Sequence, residues 1–495
     1  MGAGTRGAVD QVLLALALPP VVGVAAVGLA APDALRDAVA AATGFLLRTL
    51  GTPILLGATS CLLLLLWLGL GPWRRLRLGA DDSRPEFGTL SWLAMLFAAG
   101  MGTGLVVWGA AEPVTHALFP PGGARPEAGA ERLAILLTCF HWGLHAWAIY
   151  ALCALVIGWF AFRLGRPALV SAPLAGLLPG RAGRMLERAA DTVGIFAVCC
   201  GLAATLAMGM LSLGALLGPL AGGPTLRLGL LAILGSVALL SAATRLGQGI
   251  RWLSNANLLL AIAILLAILV LGPTARILAT FIRGLADYLL ALPVLSLGLG
   301  ALGADRQWTA DWSLTYLLWW LAWGPFVGVF IARISRGRTI GEFVAGVLLV
   351  PTLGSILWFA AFGGAGLAAL AEEGPAGPIA DAARTNAVLL LPALLQALPA
   401  GELLAAAVAL LLAIFLVTSV DSAVFVLGMM TSHGAADPPV MLRLAWGLAL
   451  LALAAAMLLV ATVESARAMA ILGAVLYPPV LALQTFALLR AVRRP

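Results

Sequence analysis

The chain has 495 residues, 62% of them hydrophobic and 10% charged, with a mean hydropathy of +1.05 and a formal net charge of +7. Soluble domains run about 45–50% apolar and about 25% charged, so this balance excludes an ordinary soluble enzyme, a disordered chain and a small disulfide scaffold. One bilayer crossing needs about 20 apolar residues, so the length holds roughly a dozen, and the chain reads as an all-α polytopic membrane protein.

Apolar windows predict twelve transmembrane helices, at 12–31, 51–71, 90–110, 133–162, 191–217, 226–243, 254–272, 312–332, 341–363, 402–430, 440–462 and 468–489. The first follows a single Arg and has no small-residue cleavage site, so it is expected as a retained span rather than a signal peptide. The connections at 32–49, 164–190 and 273–311 are amphipathic, as around Arg276-Ile-Leu-Ala-Thr-Phe-Ile-Arg283, and such pieces lie at the membrane interface. With the N-terminus inside, nineteen of the 29 arginines fall on the cytoplasmic side and ten outside, which favours both termini in the cytoplasm. The five cysteines all sit in apolar stretches and form no disulfide framework. No phosphate-cradling GxxxxGK[ST] loop occurs, which argues against ATP-driven pumping. A carrier driven by an ion gradient, a channel and an intramembrane enzyme remain.

The third span contains Ala98-Ala99-Gly100-Met101-Gly102-Thr103-Gly104. Glycines at every second position at mid-membrane suit either close helix packing or a discontinuous helix whose freed backbone groups hold an ion or a carboxylate. Glu112, in Ala111-Glu112-Pro113, is expected beyond the outer end of this span. The fourth span carries His141-Trp142 and His145-Ala146-Trp147-Ala-Ile-Tyr150. The two histidines lie at i and i+4, where they chelate a metal or, lacking an evident third ligand, make ordinary hydrogen bonds. In the eighth span Trp312, Tyr316, Trp319, Trp320 and Trp323 share one helix face before a Gly324-Pro325 pair that is expected to break it. The stripe descends about 16 Å, too far for a tryptophan belt at one membrane level.

A cage of aromatic faces holds a desolvated cation, typically a quaternary ammonium, at about 0.5–2 kcal/mol per face. Micromolar affinity takes about 8 kcal/mol, so the ligand needs a second handle. The cores of spans three, four and eight carry no Arg and no acid, which points to a zwitterion: aromatics take its cation and N–H groups at a broken helix take its carboxylate. In span ten, Phe415-Leu-Val-Thr418-Ser419-Val420-Asp421-Ser422 places hydroxyls and an acid in the membrane, a functional-site signal by default. Thr418 and Ser419 suit a hard cation; Asp421 equally suits an ion pair with the Arg333–Arg338 loop.

At these residues the chain resembles the betaine/choline/carnitine transporter (BCCT) family. The resembling stretches are Gly100 to Gly104 with Ala111-Glu112-Pro113, Phe140 to Tyr150, Gly249-Ile-Arg-Trp252-Leu-Ser-Asn255, Trp319 to Arg338 and Thr418-Ser-Val-Asp421-Ser. The resemblance implies spans three to seven and eight to twelve as two inverted five-helix repeats, as in sodium symporters with discontinuous helices. The chain then divides into an N-terminal two-helix extension (1–89), a first repeat (90–272), an amphipathic extracellular connection (273–311), a second repeat (312–489) and a short cytoplasmic tail (490–495). Carried over by motif, Trp142, Trp147, Tyr150, Trp319, Trp320 and Trp323, with Met101, Gly102 and Gly104, bind substrate. Ala98, Met101, Phe415, Thr418 and Ser419 form a sodium site, and Thr205 and Phe326 belong to a second. No cofactor is implied beyond sodium as coupling ion, and a homotrimer in the cell inner or plasma membrane is implied.

The sequence departs from the family pattern at Ala146, where Pro is frequent, at Thr103, and at Thr315, where an aromatic gate residue is common. Proton-driven choline carriers of the family tend to carry an acid at the last glycine of the motif, here Gly104. The expected function is therefore sodium-coupled import of glycine betaine or a similar compatible solute. Proton-coupled choline uptake and carnitine/betaine exchange are the alternatives within transport, and an intramembrane enzyme is the alternative outside it.

Overall fold

A computed structural model describes residues 8–100, 102–123, 129–218, 223–244, 247–460 and 462–493, with the backbone alone over 247–251. Among the described residues the architecture is helical, and the β structure is one antiparallel bridge, Arg77 to Thr339, between two inter-helix connections. Eleven helices are long and apolar enough to cross a membrane, and two bent pairs raise the number to thirteen. Twelve of these coincide with the expected windows; the other is Thr274–Ser296, inside the connection expected at the interface. That helix is tied to the start of the fourth span by ion pairs, Arg276 with Glu131 at 2.7 Å and Arg132 with Asp287.

Two other connections differ from expectation. Residues 32–49 are not a separate interfacial piece but continue the second span as one 39-residue helix, Pro32–Leu70. Pro32 opens that helix at its first position, where a missing N–H costs nothing. Likewise the latter part of 164–190 joins the fifth span as the helix Gly180–Leu216.

Breaks also fall in other places than expected. The eighth span passes through Gly324-Pro325 as one helix, Thr315–Ile334. Proline there withdraws the N–H that the Leu321 carbonyl would receive, but inside a packed bundle the helix persists. It is the fourth span that is interrupted, at Gly143, into Ala130–Trp142 and Leu144–Gly158. A Cβ at Gly143 would stand 2.6 Å from the Tyr288 hydroxyl oxygen, which accepts the freed Leu144 N–H at 2.7 Å. The third span breaks as the glycine motif implies, between Thr89–Gly100 and Thr103–Leu118. The last span is bent by 41° between Val463–Ala474 and Tyr477–Val492. The most extensive helix pairing is that of the fourth span's second half with the eighth span, and it sets the aromatic residues of both against one space.

Candidate functional site

The site starts from the broken third span. Gly102 is extended (φ −159°, ψ 175°) and precedes the helix Thr103–Leu118 without a side chain to cap it. The first N–H groups of that helix are therefore left for a ligand, and a helix N-terminus favours an anionic one. The Thr103 hydroxyl beside them is buried without a hydrogen-bond partner. Gly104 faces Trp142: a Cβ there would lie 3.3 Å from the indole ring, so glycine lets the fourth span close on the break.

Four rings form the cage. Trp142 and Trp320 meet edge to face with centroids 4.9 Å apart, Trp320 meets Tyr150 at 5.8 Å, and Tyr150 meets Trp147 at 5.5 Å. All four line a cavity of about 890 Å³ together with Trp319, Trp323, Gly102 and Gly104. Ala98, Phe415, Thr418, Ser419, Thr205 and Phe326 line the same cavity. Thr418 donates its hydroxyl to the carbonyls of Ile414 and Phe415 at 2.9 and 3.2 Å, which turns its oxygen lone pairs away from its own helix. Met101, expected to touch both substrate and sodium, lies outside the described residues.

The cavity runs from the cage to Arg333, Ala436 and Asp437. At the other end the stripe of the eighth span continues as stacked rings: Trp320 on Tyr316 at 6.1 Å, Tyr316 on Trp312 at 6.4 Å and Trp312 on Trp308 at 6.2 Å. Thr315 takes no part in this layer; its hydroxyl donates to the Ala310 carbonyl. The ring present at this level is that of Tyr316, one residue on.

The chain matches the betaine/carnitine/choline family transporter, BCCT, over residues 12–495. This protein is a member of the BCCT family. It is 38% identical over 472 residues to the glycine betaine transporter OpuD of Bacillus subtilis, covering 94% of this chain and 91% of that one. It is 35% identical to an ectoine/hydroxyectoine transporter of Virgibacillus pantothenticus, covering 85% and 84%. It is 34% identical to a glycine betaine transporter of Acinetobacter baylyi, covering 85% and 64%. It is thus a polytopic membrane transporter of betaine-type small molecules and not an enzyme.

Around the BCCT cage the structure also corrects the sequence reading. Glu112 does not lie beyond the end of the third span: the helix runs on to Leu118 and buries Glu112 completely. Its Oε2 accepts the Trp142 indole N–H at 2.7 Å and the Tyr316 hydroxyl at 2.6 Å. Its Oε1 accepts from His141 Nδ1 at 2.6 Å and from His116 Nε2 at 3.3 Å. His141 Nε2 meets the Ser313 hydroxyl at 2.7 Å, and the His141 carbonyl accepts the Trp320 indole N–H at 2.9 Å. An acid therefore does stand behind the cage. The signal for it was Glu112 with His116 at i+4 in an apolar helix, where an ionisable residue is functional by default.

The partner of His141 is thus Glu112, not His145, which lies 3.2 Å from the hydroxyls of Thr59 and Ser296. Glu112, His116 and His141 bring one ligand atom each to within 4.8 Å of one another. Two ligands on a tetrahedral ion at about 2.0–2.1 Å stand roughly 3.4 Å apart. The 2.6 Å between Glu112 and His141 is the spacing of a charge-assisted hydrogen bond instead. Arg467, at the start of the last span, is sandwiched between Trp108 and Trp312 at 4.1 and 4.2 Å, outside the cage. Asp421 sits beside Ser241 and Arg443, while Arg333 of the loop expected to pair with it binds Glu86 at 2.9 Å.

Proposed function

We propose that this transporter imports a trimethylammonium zwitterion, glycine betaine or a close relative, in symport with sodium. The observation that carries the reading is the junction, in one cavity, of a four-ring cage with the uncapped start of a broken helix. The rings take the trimethylammonium group and the N–H groups of the Thr103 turn take the carboxylate, so each end of the ligand meets its own chemistry. Trp319 and Trp323, further along the stripe, line the route between the cage and the Arg333 end.

Sodium enters as a second substrate. The carbonyls of Ala98, Met101 and Phe415 with the hydroxyls of Thr418 and Ser419 are the proposed shell, all neutral oxygens of the kind a hard cation accepts. Thr205 and Phe326 are proposed for a second ion. The proposal includes the inverted repeats 90–272 and 312–489, both termini in the cytoplasm of a cell-membrane protein, and a homotrimer. On this orientation the cavity faces the cytoplasm at Arg333 and Asp437, and the Trp308 to Tyr316 stack closes the outside.

The test is uptake by proteoliposomes of labelled betaine, choline, carnitine and ectoine, with and without an inward sodium gradient. Saturable betaine uptake that needs sodium is the expected result. Equal uptake in sodium and potassium, with a proton ionophore alone abolishing it, would overturn the coupling. Absence of saturable betaine uptake, with one of the other three taken up instead, would overturn the substrate.

A further inference from the structure

We infer that Glu112 is a positioning residue of the cation cage and also supplies its negative charge, through the rings it holds. The inference rests on the trimethylammonium reading given above and deepens it. Both principal faces are anchored on the same hydrogen-bond system: Trp142 Nε1 donates to the Glu112 carboxylate at 2.7 Å, and Trp320 Nε1 donates to the carbonyl of His141, whose ring is bonded to Glu112. The two rings so anchored stand edge to face with centroids 4.9 Å apart. Tyr316, the ring that stacks on Trp320 from outside, donates to the same oxygen at 2.6 Å.

The charge matters as well as the placement. Bonds from N–H or O–H to a carboxylate are the strong, charge-assisted kind, and each polarises its donor ring so that the π face becomes more negative. A cation is held by that face potential. Glu112 is fully buried, so neither water nor salt screens it from a ligand on the far side of the Trp142 ring. The guanidinium that opposes it, Arg467, lies over Trp108 and Trp312 at 4.1 and 4.2 Å and over the Tyr316 ring at 5.7 Å. It offsets part of the carboxylate's charge from the side of the outer stack, whereas the Trp142 indole bonds the carboxylate directly. The cage therefore reads the charge of the ligand's head group and not merely its bulk, even though the described residues lining its inner end include no acid.

The experiment compares two ligands of one shape: glycine betaine and tert-butylacetate, in which carbon replaces the ammonium nitrogen. Binding of each to the purified full-length protein is followed by tryptophan fluorescence at fixed sodium. In wild type betaine binds much more tightly. Glu112→Gln, which keeps size and an acceptor but removes the charge, is expected to lower the betaine-to-isostere affinity ratio about tenfold. A role in placement alone weakens both ligands equally, and an unchanged ratio overturns the inference. Glu112→Asp keeps the charge on a shorter arm: it should weaken both ligands yet retain the ratio, and a collapsed ratio there also overturns it. If Glu112→Gln does not fold, Glu112→Ala takes its place, and a fallen ratio in it supports the inference while an unchanged ratio overturns it. A wild-type protein that does not distinguish the two ligands overturns the trimethylammonium reading itself, and this inference with it.

Discussion

Trp320 serves the site twice, with a face toward the cavity and an N–H bonded to the His141 carbonyl at 2.9 Å. Trp320→Leu removes one desolvated face, a loss of about 2 kcal/mol, or roughly thirtyfold in affinity. Betaine titrated against the remaining tryptophan fluorescence checks this, and an unchanged dissociation constant in a folded variant removes Trp320 from the cage. Such residues were legible because the stripe repeats with the helix: Trp312, Tyr316, Trp319, Trp320 and Trp323 announce a face from their spacing alone. Glu112 was not, for two reasons. A carboxylate depresses local hydropathy, so a hydropathy window ends the span just before the residue that matters. Its partners Trp142 and Tyr316 are 30 and 204 positions away, a proximity that only the folded chain reveals.

At the scale of the helix, the glycine motif and the fourth-span break act together. Gly104 admits the Trp142 ring to within contact of the broken helix, and any larger residue must push that ring by a few tenths of an ångström. Gly104→Asp adds a carboxylate beside the cage, where it repels the carboxylate of betaine and attracts the uncompensated charge of choline. Competition uptake should then shift from betaine toward choline, and a variant that keeps the wild-type ranking contradicts the assignment of this turn to the ligand's carboxylate. The break at Gly143 is held from outside by Tyr288, a fully buried ring whose hydroxyl accepts the Leu144 N–H. Tyr288→Phe leaves that N–H unpaired, at a cost of about 1–3 kcal/mol. The thermal midpoint in detergent should fall while betaine affinity in the folded fraction changes little; an unchanged midpoint would mean the N–H finds another acceptor. The third-span break was readable because three glycines mark it. The fourth-span break was not, since one glycine among strong helix formers carries no signal until Tyr288 fills the notch. Pro325 erred in the other direction, because proline's penalty in water is softened where neighbouring helices surround it.

The whole molecule is closed at one end of its cavity and open at the other, and that asymmetry leads to a test of transport itself. The stack from Trp308 to Tyr316, with Arg467 between Trp108 and Trp312, fills the space on one side of the cage. Toward Asp421, Arg333 and Asp437 the cavity continues to the surface. A carrier must also populate the opposite arrangement, and a ligand shifts the balance only by its differential affinity for the two. If sodium and betaine bind the cage end together, their joint presence should favour a closed or outward state over the one described here. Ser422 is exposed on the open path, and of the five native cysteines four are buried and Cys61 is partly so. Ser422→Cys in a Cys61→Ala background therefore gives one reporter with little interference. A membrane-impermeant maleimide should modify it readily in potassium buffer from the side proposed as cytoplasmic and hardly at all from the other. Adding sodium with betaine should slow the cytoplasmic reaction several-fold, while either alone should do less. Equal labelling from both sides would describe a channel, and protection by betaine that is indifferent to sodium would separate the solute from the ion.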